Sequence, residues 1–187
     1  EDYPDCIVII ASVVLCVICA VNAITEPSVS LEGNTLGLIR SLPVTTKQIL
    51  GAKIRLHAVL TAIPCLFCIG CFCIVYPIKP LHALLLLLQT LSFILLSAQV
   101  GLYLGLKMPI MNWTSDITPI KQSAGILLDL LFCWLYSALP GILFFLTDCS
   151  KIGVTLFMAI ACAVNVALCA LLHCRINTKG CRLFEAL

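Results

Sequence analysis

Five runs of apolar residues dictate what this chain can become. They cover about residues 6–24, 54–76, 81–106, 124–146 and 152–172. Each is close to the roughly 20 residues that a helix needs to cross the hydrocarbon of a bilayer. In lipid the backbone has no water to bond to, so such runs must be helical. Composition agrees: 61% of the 187 residues are hydrophobic, only 11% are charged, and the mean hydropathy is +1.14. Soluble domains carry about 25% charged residues. The expected fold is therefore all-α: a polytopic membrane helix bundle, one transmembrane domain over residues 1–187, with five spans.

Sidedness follows from the basic residues. Arg40, Lys47, Lys53, Arg55, Lys107, Lys121, Arg175, Lys179 and Arg182 fall on one side of such a bundle; only Lys79 and Lys151 fall on the other. By the positive-inside rule the two long connections and the C-terminus are cytoplasmic. The expected location is the plasma membrane. The N-terminus, with Glu1, Asp2 and Asp5, is then outside, which implies at least one further span upstream and a longer polypeptide.

The least apolar stretch lies between the first two runs, from Ser28 to Arg55. It predicts two short helices broken at Pro43, which cannot continue a helix and biases Leu42 toward extended backbone. The first runs from about Ser30 to Ser41, with Glu32 and Arg40 open to water. The second starts with Thr45 as N-cap and Gln48 three residues on, a capping box, with Val44 and Ile49 as its hydrophobic staple. Such a unit lies along the bilayer surface, where it can touch a soluble partner. An ordinary solvated loop with a capped helix is the alternative.

Few residues suggest chemistry. Cys65, Cys68, Cys71 and Cys73 have a spacing reminiscent of metal ligands. On a spanning helix they cannot converge, and cysteine there packs as a small hydrophobe; no metal is expected. His57, His82 and His173 stand near span ends, unpaired with a zinc-protease glutamate. No phosphate loop and no nucleophile elbow is present. Asp129 is the one acid inside a span, and intramembrane acids mark functional sites by default. It can line a transport path with Gln89, Gln99 and Asn165, or pair at the interface with Lys107 or Lys121. The three amides can equally serve as interhelical hydrogen bonds, and Gly101 and Gly105 allow close helix approach. Pro64 and Pro140 predict kinks. In the second connection, Trp113 suits the interface, and Lys121 and Gln122 lead into the fourth span.

Two motifs carry a family resemblance. Glu32-Gly33, Leu36, Ile39-Arg40-Ser41-Leu42-Pro43-Val44 and Ile49-Leu50-Gly51-Ala52-Lys53 resemble the loop of bacterial type-2 ABC exporter permeases. Asn112 to Ile117, with Asp116, followed by Ile120-Lys121-Gln122-Ser123, is similar to the Firmicutes branch, departing from its pattern at Asn112 and at Ser115-Asp116. The resemblance covers about residues 6–175 and implies the C-terminal part of a permease whose first span lies upstream. It implies a coupling helix in the first loop, made of Glu32, Gly33, Leu38, Ile39, Arg40, Ser41, Leu42, Pro43 and Lys53. Leu38, Ile39 and Leu42 would seat in an ABC ATPase, with polar contacts from Glu32, Arg40 and Lys53. ATP and magnesium would sit on that partner, so the chain itself is not an enzyme and needs no cofactor. Its partners would be the ATPase, the bilayer and a second permease half, with no nucleic acid. The substrate is open. The alternatives are an intramembrane protease or lipid transferase, which would need clustered acids or a nucleophile at one depth, and a membrane scaffold or immunity-type protein.

Overall fold

The computed structural model describes residues 3–111, 113, 123–146 and 153–186, with the backbone alone at residues 3–5, 34 and 40. Asp116, Lys121 and Gln122, and the side chain of Arg40, lie outside the described residues. All regular structure among the described residues is helical. In chain order the elements are α1 (Tyr3–Ala20), α2 (Pro27–Ser30), a 3-10 turn (Gly33–Thr35), α3 (Leu36–Ser41), α4 (Thr46–Val75), α5 (Pro80–Lys107), α6 (Ala124–Leu146) and α7 (Val154–Arg175). A π-turn (Ile176–Gly180) then leads into α8 (Cys181–Ala186).

Four helical stretches among the described residues are long and apolar enough to cross a membrane: α4, α5, α6 and the continuous run Val154–Ala186. The first run falls short of the expectation, because its apolar helix covers only Cys6–Ala20. Past Ala20 the chain leaves the helix in tight turns, with Val21 N–H donating to Ile18 O and Asn22 N–H to Cys19 O.

Helix α5 is the hub. Most of its surface is buried, while the other three candidate spans expose most of theirs. It packs against α1, α4, α6 and α7, and α1 also packs on α6. The core is layered along it. Val8, Leu86, Phe144 and Met158 fill one end. Cys16, Cys65, Phe93 and Cys133 fill the middle. Val29, Leu50, Leu102 and Phe184 fill the other end. Outward, Phe67, Ile74, Leu135 and Leu146 are each more than 70% exposed. Exposed apolar surface of that extent marks a membrane- or partner-facing side.

Further boundaries differ from the expected ones: the first limb of the elbow is helical only over Leu36–Ser41, preceded by a separate 3-10 turn, rather than from about Ser30. Helix α4 begins at Thr46, not near Ile54, so the second limb of the Pro43 break and the span are one 30-residue helix. His57 therefore lies three turns inside α4, 1% exposed, rather than at a span end. The tail beyond His173 is a helix as well, because Ile176, Cys181 and Phe184 bury themselves against the α4–α5 end of the core. Helices α4 and α6 run through Pro64 and Pro140, each of which removes one ladder hydrogen bond.

Candidate functional site

The break at Pro43 forms as its local chemistry requires. α3 ends at Leu42, whose φ of −74° and ψ of 142° are extended. Thr45 N–H donates to Gln48 Oε1 at 2.9 Å, and Gln48 N–H donates to Thr45 Oγ1 at 3.4 Å, closing the capping box. α3 and the first turns of α4 bound an apolar groove of about 550 Å³, lined by Ile39, Leu42, Val44, Ile49 and Leu56. Val44 and Ile49, the staple pair, share that groove. Leu38 is 68% exposed and Leu42 52%. Ser41 Oγ donates to Leu38 O at 2.7 Å.

The elbow is fastened from inside. Lys53 Nζ lies 2.7 Å from Glu32 Oε1 and donates to Ser28 O at 2.8 Å. The Lys53 side chain is 9% exposed and that of Glu32 28%. These two charges, expected to face outward, tie α4 to the segment before α3. The second connection is bolted to the first through Ser30. Ile110 N–H donates to Ser30 Oγ at 3.0 Å, and Trp113 Nε1–H donates to Ser30 O at 2.8 Å. Trp113 thus acts as a strut between the two connections. Gly33 lies against Met111, where a Cβ would stand 3.2 Å from the Met111 sulfur. At the start of α4, Thr46 Oγ1 donates to Glu185 Oε1 of α8 at 3.1 Å.

The polar residues of the spans do not meet in one chamber. Asn165 Oδ1 accepts from Tyr136 Oη at 2.5 Å, and its amide donates to Ser92 Oγ at 3.5 Å. Gln89 lines a cavity of about 160 Å³ together with Tyr136 and Asn165. Gln99 lies ten residues further along α5, about 15 Å away by helical rise, buried and with its Oε1 unpartnered among the described residues. Between them, Ser97 Oγ lies 3.4 Å from His57 Nε2. Asp129 is buried beside Gly101, and Cys133 Sγ donates to its Oδ1 at 3.5 Å. It makes no ion pair among the described residues. The three amides and Asp129 therefore form a column along α5 instead of a single cluster.

One acid in this column escapes sequence reading. Glu26, just after the first apolar run, is 0% exposed. Its Oε1 accepts from Ser123 Oγ at 2.6 Å, and Ser123 Oγ in turn accepts from Gly125 N–H at 3.1 Å at the start of α6. Among the described residues, Glu26 Oε2 and Thr25 Oγ1 have no hydrogen-bond partner. Burial pushes the Glu26 carboxyl above the usual carboxylate range, partly offset by the Ser123 hydrogen bond. Gly101 and Gly105 do permit close approach: the Thr25–Glu26 turn rests on both, and Asp129 of α6 on Gly101. A Cβ at residue 105 would strike the Glu26 carbonyl, and one at residue 125 the Glu26 carboxylate.

The cysteines separate as the helical spacing predicts: Cys65 is buried, Cys68 and Cys71 are exposed, and Cys73 is half-buried. Cys65 Sγ instead faces Cys19 Sγ of α1 at 3.1 Å. Among the described residues, no three His, Cys, Asp or Glu side chains gather as a metal shell.

No protein-family model, curated protein or solved structure matches the chain.

Proposed function

We propose that the chain is the membrane subunit of an ABC-type exporter, with ATP and magnesium bound by a separate ATPase, and that the elbow at Pro43 receives the ATPase's push. One observation carries the reading: the elbow's second limb is uninterrupted with the α4 span. A force applied at Leu38 and Leu42 passes through the capped start of α4 directly into a helix about 45 Å long. The Lys53–Glu32 pair and the Ser30–Trp113 bond keep the elbow from folding under that force. The resemblance at Glu32-Gly33 and Ile39 to Val44 supports the same assignment. In this reading Leu38, Ile39 and Leu42 enter the partner, Arg40 contacts its surface, and Glu32 and Lys53 stiffen the lever.

In the same reading α1 is the fifth span. Its 18 residues rise about 27 Å, close to the hydrocarbon thickness. The elbow end is cytoplasmic, and the exposed apolar belt faces the plasma-membrane lipid and a second permease half.

Sidedness tests this in cells. A membrane-impermeant amine reagent is expected to modify exposed Lys79 in intact cells, and exposed Lys47 only after permeabilisation, as read by peptide mass. Modification of Lys47 in intact cells would place the elbow outside and end the proposal.

A further inference from the structure

The junction between α1 and α2 holds more negative oxygen than the described residues neutralise. The Glu26 backbone carbonyl lies over Gly105 of α5 and its carboxylate against Gly125 of α6, while Asp129, one turn further along α6, reaches over Gly101 of α5. Among the described residues Glu26 Oε1 has a single donor, Ser123, while its Oε2 has none. Asp129 has only the weak Cys133 thiol among the described residues. A third oxygen belongs to neither acid: Thr25 Oγ1, on a residue 1% exposed, has no partner among the described residues. It lies 2.7 Å from the point where a Cβ on residue 101 would sit, and Asp129 Oδ2 lies 2.9 Å from that point. Both oxygens therefore rest on the same bare patch of α5.

No basic side chain answers them among the described residues. Lys53 is turned to Glu32 and Ser28, and His57 to Ser97. Cys16 and Cys19 of α1 lie beside Cys65 of α4. Helix α5 offers only glycine faces here, and α6 adds Cys133 and the N–H groups of its first turn. Those N–H groups already donate to Ser123 Oγ and favour a negative Glu26 too weakly to hold two buried carboxylates charged. A site built of oxygens with excess negative charge in a dry place takes a hard, singly charged cation.

We propose that Thr25, Glu26 and Asp129 form a binding site for one exchangeable monovalent cation, a proton or a sodium ion. Exchange is one for one: a sodium ion enters as the O–H bond of one carboxyl breaks and its proton leaves. The site spans the entry to the elbow and the start of α6, so its occupancy sets how tightly the Thr25–Glu26 segment is held on α5. This does not depend on the exporter reading.

Infrared spectroscopy of the purified full chain in lipid nanodiscs tests the site. In choline buffer, titrated from about pH 5 to about pH 9, a protonated-carboxyl band is expected at neutral pH and lost on the alkaline side. The band is expected to weaken or shift in Glu26→Gln and in Asp129→Asn. Replacing choline by sodium at fixed pH and ionic strength separates the two occupants. Loss of the band means that sodium displaces the proton; an unchanged band means that the site takes protons alone. The wild-type titration stands by itself should a variant fail to fold. Absence of any such band in choline over the whole range, or a band unaltered in both variants, overturns the proposal.

Discussion

Lys53 reaches back 21 positions to place its ammonium 2.7 Å from the Glu32 carboxylate, and so joins the α4 span to the segment that precedes α3. Its side chain is 9% exposed, well inside the range where an ion pair outweighs its surface counterparts. A double-mutant cycle with Lys53→Met and Glu32→Gln should give a coupling of about 1–2 kcal/mol in thermal unfolding, between surface and buried pairs. A coupling near zero would mean that the pair does not brace the elbow.

The capping box is the second brace. Thr45→Ala removes the side-chain acceptor for Gln48 N–H, and should cost about 1 kcal/mol. Because the box sits at the outer end of α4, the loss should appear as faster amide exchange over the first turn, with the α4 interior unchanged.

Glycine substitutions separate contact from helix propensity. Gly105→Ala drives a methyl into the Glu26 carbonyl, and is expected to destabilise by about 1–3 kcal/mol. Gly37→Ala meets nothing within 4 Å, and should be neutral or stabilising by up to about 1 kcal/mol. Thermal midpoints of the two variants, measured in the same lipid, give the comparison.

Glu26 predicts a pH dependence of stability. Its folded carboxyl is raised by burial, so the folded state holds that proton more tightly than the unfolded chain, where the value is about 4.3. The Glu26 contribution is therefore fully present below the unfolded value. It is lost as pH rises through the folded one. Glu26→Gln should flatten the fall in thermal midpoint across that range. Equal slopes in variant and wild type would contradict the assignment.

The parts of the fold that local chemistry decides were legible in the residues. The α6 span occupies 124–146 as its apolar run predicts, and α5 extends its run by one residue at each end. The Pro43 break and the Thr45–Gln48 box need only neighbouring residues, and both form as read. What tertiary packing decides was not legible. Glu26 sits before Pro27 like the first residue of an exposed loop, and only the bare glycine faces of α5 and α6 hint that a backbone comes to rest there. Hydropathy alone starts α4 near Ile54 and leaves His57 at a span end, whereas the cap at Thr45 starts the helix at Thr46 and carries His57 inside it. The tail after His173 looks polar in sequence, yet three apolar residues at helical spacing bury it. Lys53 and Glu32 carry no sequence sign that they face each other.

The elbow's role is tested most directly by ATPase retention. The purified complex should contain an ATPase of roughly 25–35 kDa that hydrolyses ATP. Leu38→Asp with Leu42→Asp changes two side chains that are more than half exposed, so folding should be preserved. Charging apolar anchors at the centre of an interface costs more than about 2 kcal/mol, so bound ATPase and transport-linked hydrolysis should fall more than about tenfold. A folded double variant that keeps its ATPase and full activity would contradict the account.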